Sequence, residues 1–154
     1  MSITINTKIN GQAVTAMADA STSLLEFLRD TLEMKGSKLC CNTGECGACT
    51  IIYNGKPINS CVTMAADANG AEITTIEGLA EGDKLHPVQQ AFIDTGAVQC
   101  GYCTPGFIMS VKALFDRTKK PTAQDIEEAI SGNICRCTGY NKIVDAIQLA
   151  AQKL

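Results

Sequence analysis

The chain has 154 residues, 45% hydrophobic and 19% charged, with a formal net charge of −3. That length accommodates one or two small domains with a real core, and the composition excludes a disordered or collagen-like polymer. The mild acidity lacks the basic footprint of a nucleic-acid binder, and no apolar run reaches a transmembrane length.

From Ser2 to Ile9 isoleucines alternate with polar residues, and Asn10-Gly11 supplies a tight-turn signal before a return strand through Ala13–Met17. Ser21 or Thr22 is a candidate N-cap for a helix carrying Leu24, Leu25, Leu28 and Leu32 on one face, stopped at Gly36. The stretch Lys38–Cys49, dense in Cys, Gly and Asn, has neither period and reads as a loop. Thr50–Tyr53, Asn54-Gly55 and Ile58–Val62 form a second hairpin signal, and Glu72–Ile76 offers a last strand. The small, acidic segment Glu77–Asp83 suits a linker.

Beyond it the signals turn helical. Pro87 opens a helix with Val88, Ala91 and Phe92, ending near Gly96. Pro105 opens another, with Phe107, Ile108, Val111, Leu114 and Phe115 on its inner face. Thr122 starts a third, with Asp125 in a capping-box-like position, and a fourth runs from about Tyr140 to Gln152. The pattern predicts an α+β protein: residues 1–76 rich in strand, a linker over 77–84, and an all-helical part over 85–154.

The anomaly in the composition is nine cysteines beside a single histidine, His86. Their spacing forms two constellations. Cys41-x4-Cys46-x2-Cys49, with Cys61 following, is the plant-type [2Fe–2S] ferredoxin pattern: three thiolates on one tight loop, the fourth from another element. The intervening small residues let backbone N–H groups approach the sulfurs. The second constellation is Cys100-x2-Cys103 with Cys135-x-Cys137, the two pairs separated by 31 residues. Each of these pairs precedes a predicted helix, whose N-terminus favours negative charge, so a four-cysteine cluster site between two helical hairpins is expected.

Eight cysteines are thereby used. The x4 spacing selects Cys41 as the ligand and leaves Cys40 as a small inert residue, with an alternative ligand or oxidation site as the competing reading. An all-cysteine zinc site from the two C-x2-C pairs leaves Cys41, Cys61, Cys135 and Cys137 unexplained. His86 reads as a surface residue at a helix start, and Glu81–Asp83 as a solvated charge run.

The segments GSKLCCNTGECGACT (36–50), Ser60-Cys61, AVQCGYCTPGF (97–107) and GNICRCTGYNKIVDAI (132–147) resemble the small iron–sulfur subunit of the molybdenum hydroxylases, the xanthine oxidase-type enzymes. The resemblance spans essentially the whole chain. It implies an N-terminal β-grasp, plant-type ferredoxin-like domain followed by a four-helix-bundle [2Fe–2S] domain. It also implies an oxidoreductase in which this chain is the electron-transfer subunit, passing single electrons from a molybdopterin cofactor on a large partner subunit through two [2Fe–2S] clusters. The acceptor is then a FAD-binding subunit or a c-type cytochrome. Gln99 and Cys137 are the positions that such a resemblance places against the pterin. Cys40 departs from the family pattern, which usually has Gly there. The opening Met1–Asn10 lacks the features of a secretion signal, so a cytoplasmic location is expected, with a periplasmic or membrane-associated complex through partner subunits as the alternative. Two rivals remain at this level: a zinc-stabilised interaction module, and a free two-cluster ferredoxin with no fixed partner.

Overall fold

The computed structural model describes residues 1–154. Its first half is a five-stranded sheet. Strand β1 (Ser2–Ile9) turns through Asn10 and Gly11, both at positive φ, into the antiparallel β2 (Gln12–Asp19). A two-residue turn of this kind matches the twist of the flanking strands. Strands β3 (Thr50–Tyr53) and β4 (Lys56–Asn59) form the second hairpin through Asn54 and Gly55. Strand β5 (Glu72–Thr74) lies between the hairpins, parallel to β1 and antiparallel to β3, giving the order β2-β1-β5-β3-β4.

A short helix, α1 (Leu24–Glu26), runs on as a wider π-helical turn over Phe27–Thr31. It buries Leu24, Phe27 and Leu28 against Ile5, Ile9, Ile51 and Ile73 of the sheet. Its N-cap is Ser23, not Ser21 or Thr22. The Thr22 amide is spent in a turn with the Asp19 carbonyl, whereas Ser23 and Glu26 close a reciprocal capping box. The helical turns end at Thr31, before the expected stop at Gly36. Arg29 then donates to the carbonyls of Lys35 and Ser37 and fixes the start of the cysteine loop.

The second half is built from α2 (Pro87–Asp94), α3 (Thr104–Arg117), α4 (Ala123–Ile130) and α5 (Asn141–Ala151). Its core of 20 buried residues includes Phe92, Phe107, Phe115 and Ile147, and it also takes in Ile52 of β3 and Leu79 of the connecting segment. The two halves are therefore packed on each other. The connecting segment is a strap tied at several points, not a free linker. Leu79 is buried in the helical core, and the Glu77 carboxylate accepts the Gly36 amide at 2.7 Å. His86 is the half-buried N-cap of α2, its Nδ1 accepting the Val88 amide. No helix is long and apolar enough to cross a membrane.

Candidate metal centres

The loop before β3 is shaped by positive-φ residues at Asn42, Gly44 and Gly47, which fold it back on itself. Its base is closed by the Lys38 amide on the Ala48 carbonyl, and its side by Asn59 Nδ2 on the Gly44 carbonyl. Residues Ser60–Val62, expected to extend the second hairpin, form a 3-10 turn instead. The reason is a bond to an earlier element: the Ser60 hydroxyl donates to the Cys49 carbonyl at 2.7 Å and pulls the chain round. That bond brings Cys61 against Cys49, and the two thiols touch, both buried. Cys41 and Cys46, half-buried, form the outer pair of this site.

The second constellation lies in the two helical hairpin connections, Cys100 and Cys103 between α2 and α3, Cys135 and Cys137 between α4 and α5. Here too the thiols pair. Cys103 touches the buried Cys135, while Cys100 and Cys137 lie 3.6 Å apart and exposed. Cys103 adjoins the N-terminus of α3 as expected, but Cys135 and Cys137 precede Asn141 by several residues and lie on a loop. The donors at Cys135 are therefore not those of a helix end. They are the Thr138 hydroxyl at 3.1 Å and the Thr138 amide at 3.4 Å. At the first site the corresponding donor is the Thr43 amide, 3.4 Å from the Cys41 sulfur.

The protonation behaviour follows this geometry. Hydrogen bonds from Thr43, and then from the Cys46 amide, lower Cys41 to about 5, so a thiolate stands ready at the outer edge of the first site. Burial, reinforced by Cys49, pushes Cys61 up to about 12. Burial and then Cys135 do the same to Cys103, also to about 12. Cys135 is raised by burial, but the bonds from Thr138 and the Cys137 amide outweigh that and leave it lowered. Cys40, exposed beside Cys46, is raised chiefly by the charge of that neighbour.

The donor set fits two binuclear clusters. No three His, Cys, Asp or Glu side chains converge on one point as a single ion requires. Eight of the nine thiols stand two and two, the arrangement that a rhomb of two tetrahedral irons and two sulfides needs, and the ninth, Cys40, also touches Cys46. A cavity of about 180 Å³ is lined by Cys100, Cys103, Cys135 and Cys137 and also by Cys46 and Cys40, so the two constellations meet at it.

Three residues that sequence reasoning passed over hold the sites together. Asn133 is buried; its Nδ2 donates to the Gly47 carbonyl at 3.0 Å and its Oδ1 accepts from Ser110 of α3 at 2.7 Å. Thr50 adds a third arm, donating to the same Gly47 carbonyl at 2.7 Å. The approach is too close for side chains: a Cβ on Gly47 would run into Gly132 and Asn133, and one on Gly106 into the Gly47 carbonyl. The Ile134 amide donates to the Cys46 carbonyl at 2.9 Å, one residue before Cys135. Asn133 stands within the segment quoted above, but its long-range partners leave no mark in the local sequence. Gln99 and Cys137 are both exposed. Around them Leu39, Val98, Tyr102 and Ile134 are exposed apolar residues, whereas Phe107 is fully buried.

Comparison with known proteins gives the family. Residues 7–76 match the description of a 2Fe-2S iron–sulfur cluster binding domain, and residues 75–148 that of a [2Fe-2S] binding domain. The chain is thus a tandem [2Fe–2S] protein. It is 46% identical over 151 residues to the nicotinate dehydrogenase small FeS subunit of Eubacterium barkeri, covering 98% of this chain and 96% of that one. The quinoline 2-oxidoreductase structure from Pseudomonas putida 86 superposes with a TM-score of 0.94 at 37% identity, covering 98% of this chain and 94% of its counterpart. The aldehyde oxidoreductase of Desulfovibrio desulfuricans matches with a TM-score of 0.94 at 42% identity, but there 97% of this chain covers 17% of a much longer one. The chain belongs to the iron–sulfur small subunits of the molybdenum hydroxylases, an oxidoreductase family, and its cofactors are two [2Fe–2S] clusters.

Proposed function

We propose that this chain conducts electrons within a molybdenum hydroxylase, from a large molybdopterin-binding partner to a FAD-binding subunit or a c-type cytochrome. The observation that carries this reading is the presence of two four-thiol sites in one chain, each paired two and two, the second with its outer pair exposed on an apolar face. The bound clusters supply one-electron steps; the chain supplies their spacing, hydrogen bonding and burial.

Cys41 and Cys46 with Cys49 and Cys61 hold the first cluster, in a β-grasp, ferredoxin-like unit over 1–76. Cys100 and Cys137 with Cys103 and Cys135 hold the second, in a helical unit over 85–154 joined by the 77–84 strap. Cys61 and Cys103 keep their protons at neutral pH until metal displaces them, so loading releases protons. Gln99 and Cys137 lie at the exposed face of the second site, where the pterin of the partner docks; the Gln99 amide can both donate and accept there. The Ile134–Cys46 hydrogen bond joins the two ligand loops through one backbone contact and gives electrons a short bonded route between them. The partner covers Val98, Tyr102 and Ile134, whose exposure in a free shuttle has no use.

Low-temperature EPR of the dithionite-reduced chain, with spin integration, tests this. Two distinct S = 1/2 signals summing to about two spins per chain are expected for two all-cysteine clusters. One signal means a misassigned ligand set, with Cys40 the first suspect. A silent protein with tightly bound zinc would replace the conducting subunit by an interaction module.

A further inference from the structure

The segment from Cys135 to Tyr140 closes on itself through three hydrogen bonds. The Cys135 amide donates to the Tyr140 hydroxyl at 3.0 Å, the Tyr140 amide donates to the Thr138 hydroxyl oxygen at 3.4 Å, and that hydroxyl donates to the Cys135 sulfur at 3.1 Å. The ring holds an unusual backbone: Tyr140 stands at φ 69°, a conformation that costs free energy in a residue with a side chain. Its ring packs edge-on against Phe107, which is fully buried, so the phenol is held at its base. A hydroxyl has one proton. With a lone pair of the Thr138 oxygen taken by the Tyr140 amide, that proton is directed at sulfur.

We propose that Thr138 is a potential-tuning residue of the second cluster, its hydroxyl bonded to the Cys135 sulfur and its direction set by Tyr140. The inference rests on the assignment of Cys135 as a ligand. On one-electron reduction no bond is made or broken. The added negative charge spreads onto the sulfurs, and a donor already in place stabilises it more than it stabilises the oxidised form. A hydrogen bond to a ligand sulfur therefore raises the potential. The bond is also sheltered, because Cys135 is buried and Thr138 half-buried, so bulk water does not replace it when it is lost.

The test is a redox titration of the full chain carrying both clusters, following each EPR signal separately. Thr138→Val should move the second-site signal to lower potential and leave the first-site signal in place, while Thr138→Ser keeps both at their wild-type values. Thr138→Ala, which removes the hydroxyl without adding bulk and retains the backbone donor, should reproduce the shift should valine impair loading. An unmoved potential in the loaded alanine or valine protein overturns the proposal. So does an equal shift of both signals, which indicates general loosening, or a serine variant that behaves like alanine. Absence of a second signal from the wild-type protein would remove the site itself and this role with it.

Discussion

The two halves solve the same problem, four thiols around a compact cluster, by different means. In the first, three cysteines sit within nine residues, Cys41 to Cys49, and backbone twists at Asn42, Gly44 and Gly47 do the gathering. In the second, the pairs come from two helical hairpins and are gathered by helix packing. The first is a local device and the second a tertiary one. They differ in exposure as well: the outer pair of the first is half-buried, that of the second open to solvent. Yet they are not independent, because the Gly47 carbonyl of the first loop is gripped by Asn133 of the second.

Removing that shared contact is the strongest way to break the comparison. Gly47→Ala adds a Cβ at positive φ that meets Gly132 and Asn133. It should cost about 3 kcal/mol and impair both clusters, seen as loss of iron and of visible absorbance together. Loss from the first site alone would show the halves to be uncoupled. Asn133→Ala comes next. It strands the buried Ser110 hydroxyl and removes one of the Gly47 carbonyl's donors, at a cost of about 1–3 kcal/mol in denaturant titration. It should also change the magnetic interaction between the two reduced clusters while leaving both loaded.

A smaller effect tests what the halves share. Each has a helix start closed by a capping box, Ser23 with Glu26 and Thr122 with Asp125. Hydrogen bonds from those capping residues hold both carboxyls below their ordinary values. A carboxyl lowered on folding stabilises the fold above its unfolded value and loses that contribution as pH falls toward the folded one. Stability should therefore decline below about pH 4.5, and Ser23→Ala with Glu26→Gln should flatten that decline in urea midpoints measured across pH. Ser23→Ala alone should cost about 1 kcal/mol at neutral pH. The smallest effect is expected at Cys40. It is exposed, with its thiol against Cys46 but outside the Cys41-x4-Cys46 spacing, so Cys40→Gly should leave both EPR signals and the iron content unchanged. Loss of iron from the first site would make Cys40 the ligand in place of Cys41.

Much of this was legible in the sequence. Both Asn-Gly hairpins, the helix started by Thr122 and the helices opened by Pro87 and Pro105 were readable, because turn and cap chemistry acts within a few residues. Ser23-x-x-Glu26 was equally local, and the weaker candidates Ser21 and Thr22 merely stood closer to the strand. The errors lay where a distant partner decided. Val62 has strand character, but the Ser60 hydroxyl is captured by the Cys49 carbonyl, 11 residues earlier, and the chain turns. Glu77 opens the segment that reads as a linker, and its bond to the Gly36 amide, across 41 residues, leaves no mark in the local sequence.

The sequence by itself determined the number of thiols, their grouping into two constellations, and the strand-then-helix order, since spacing along a chain restricts which groups a short loop can gather. Only the tertiary structure decided which thiols face each other, which pair is exposed, and that Asn133 and Thr138 serve the sites. Those features depend on helices and loops packing at close range, as where Gly47 meets Gly106 and Asn133, 86 residues away. Contacts of that separation are set by the shape of the whole core, and no short stretch of sequence carries them.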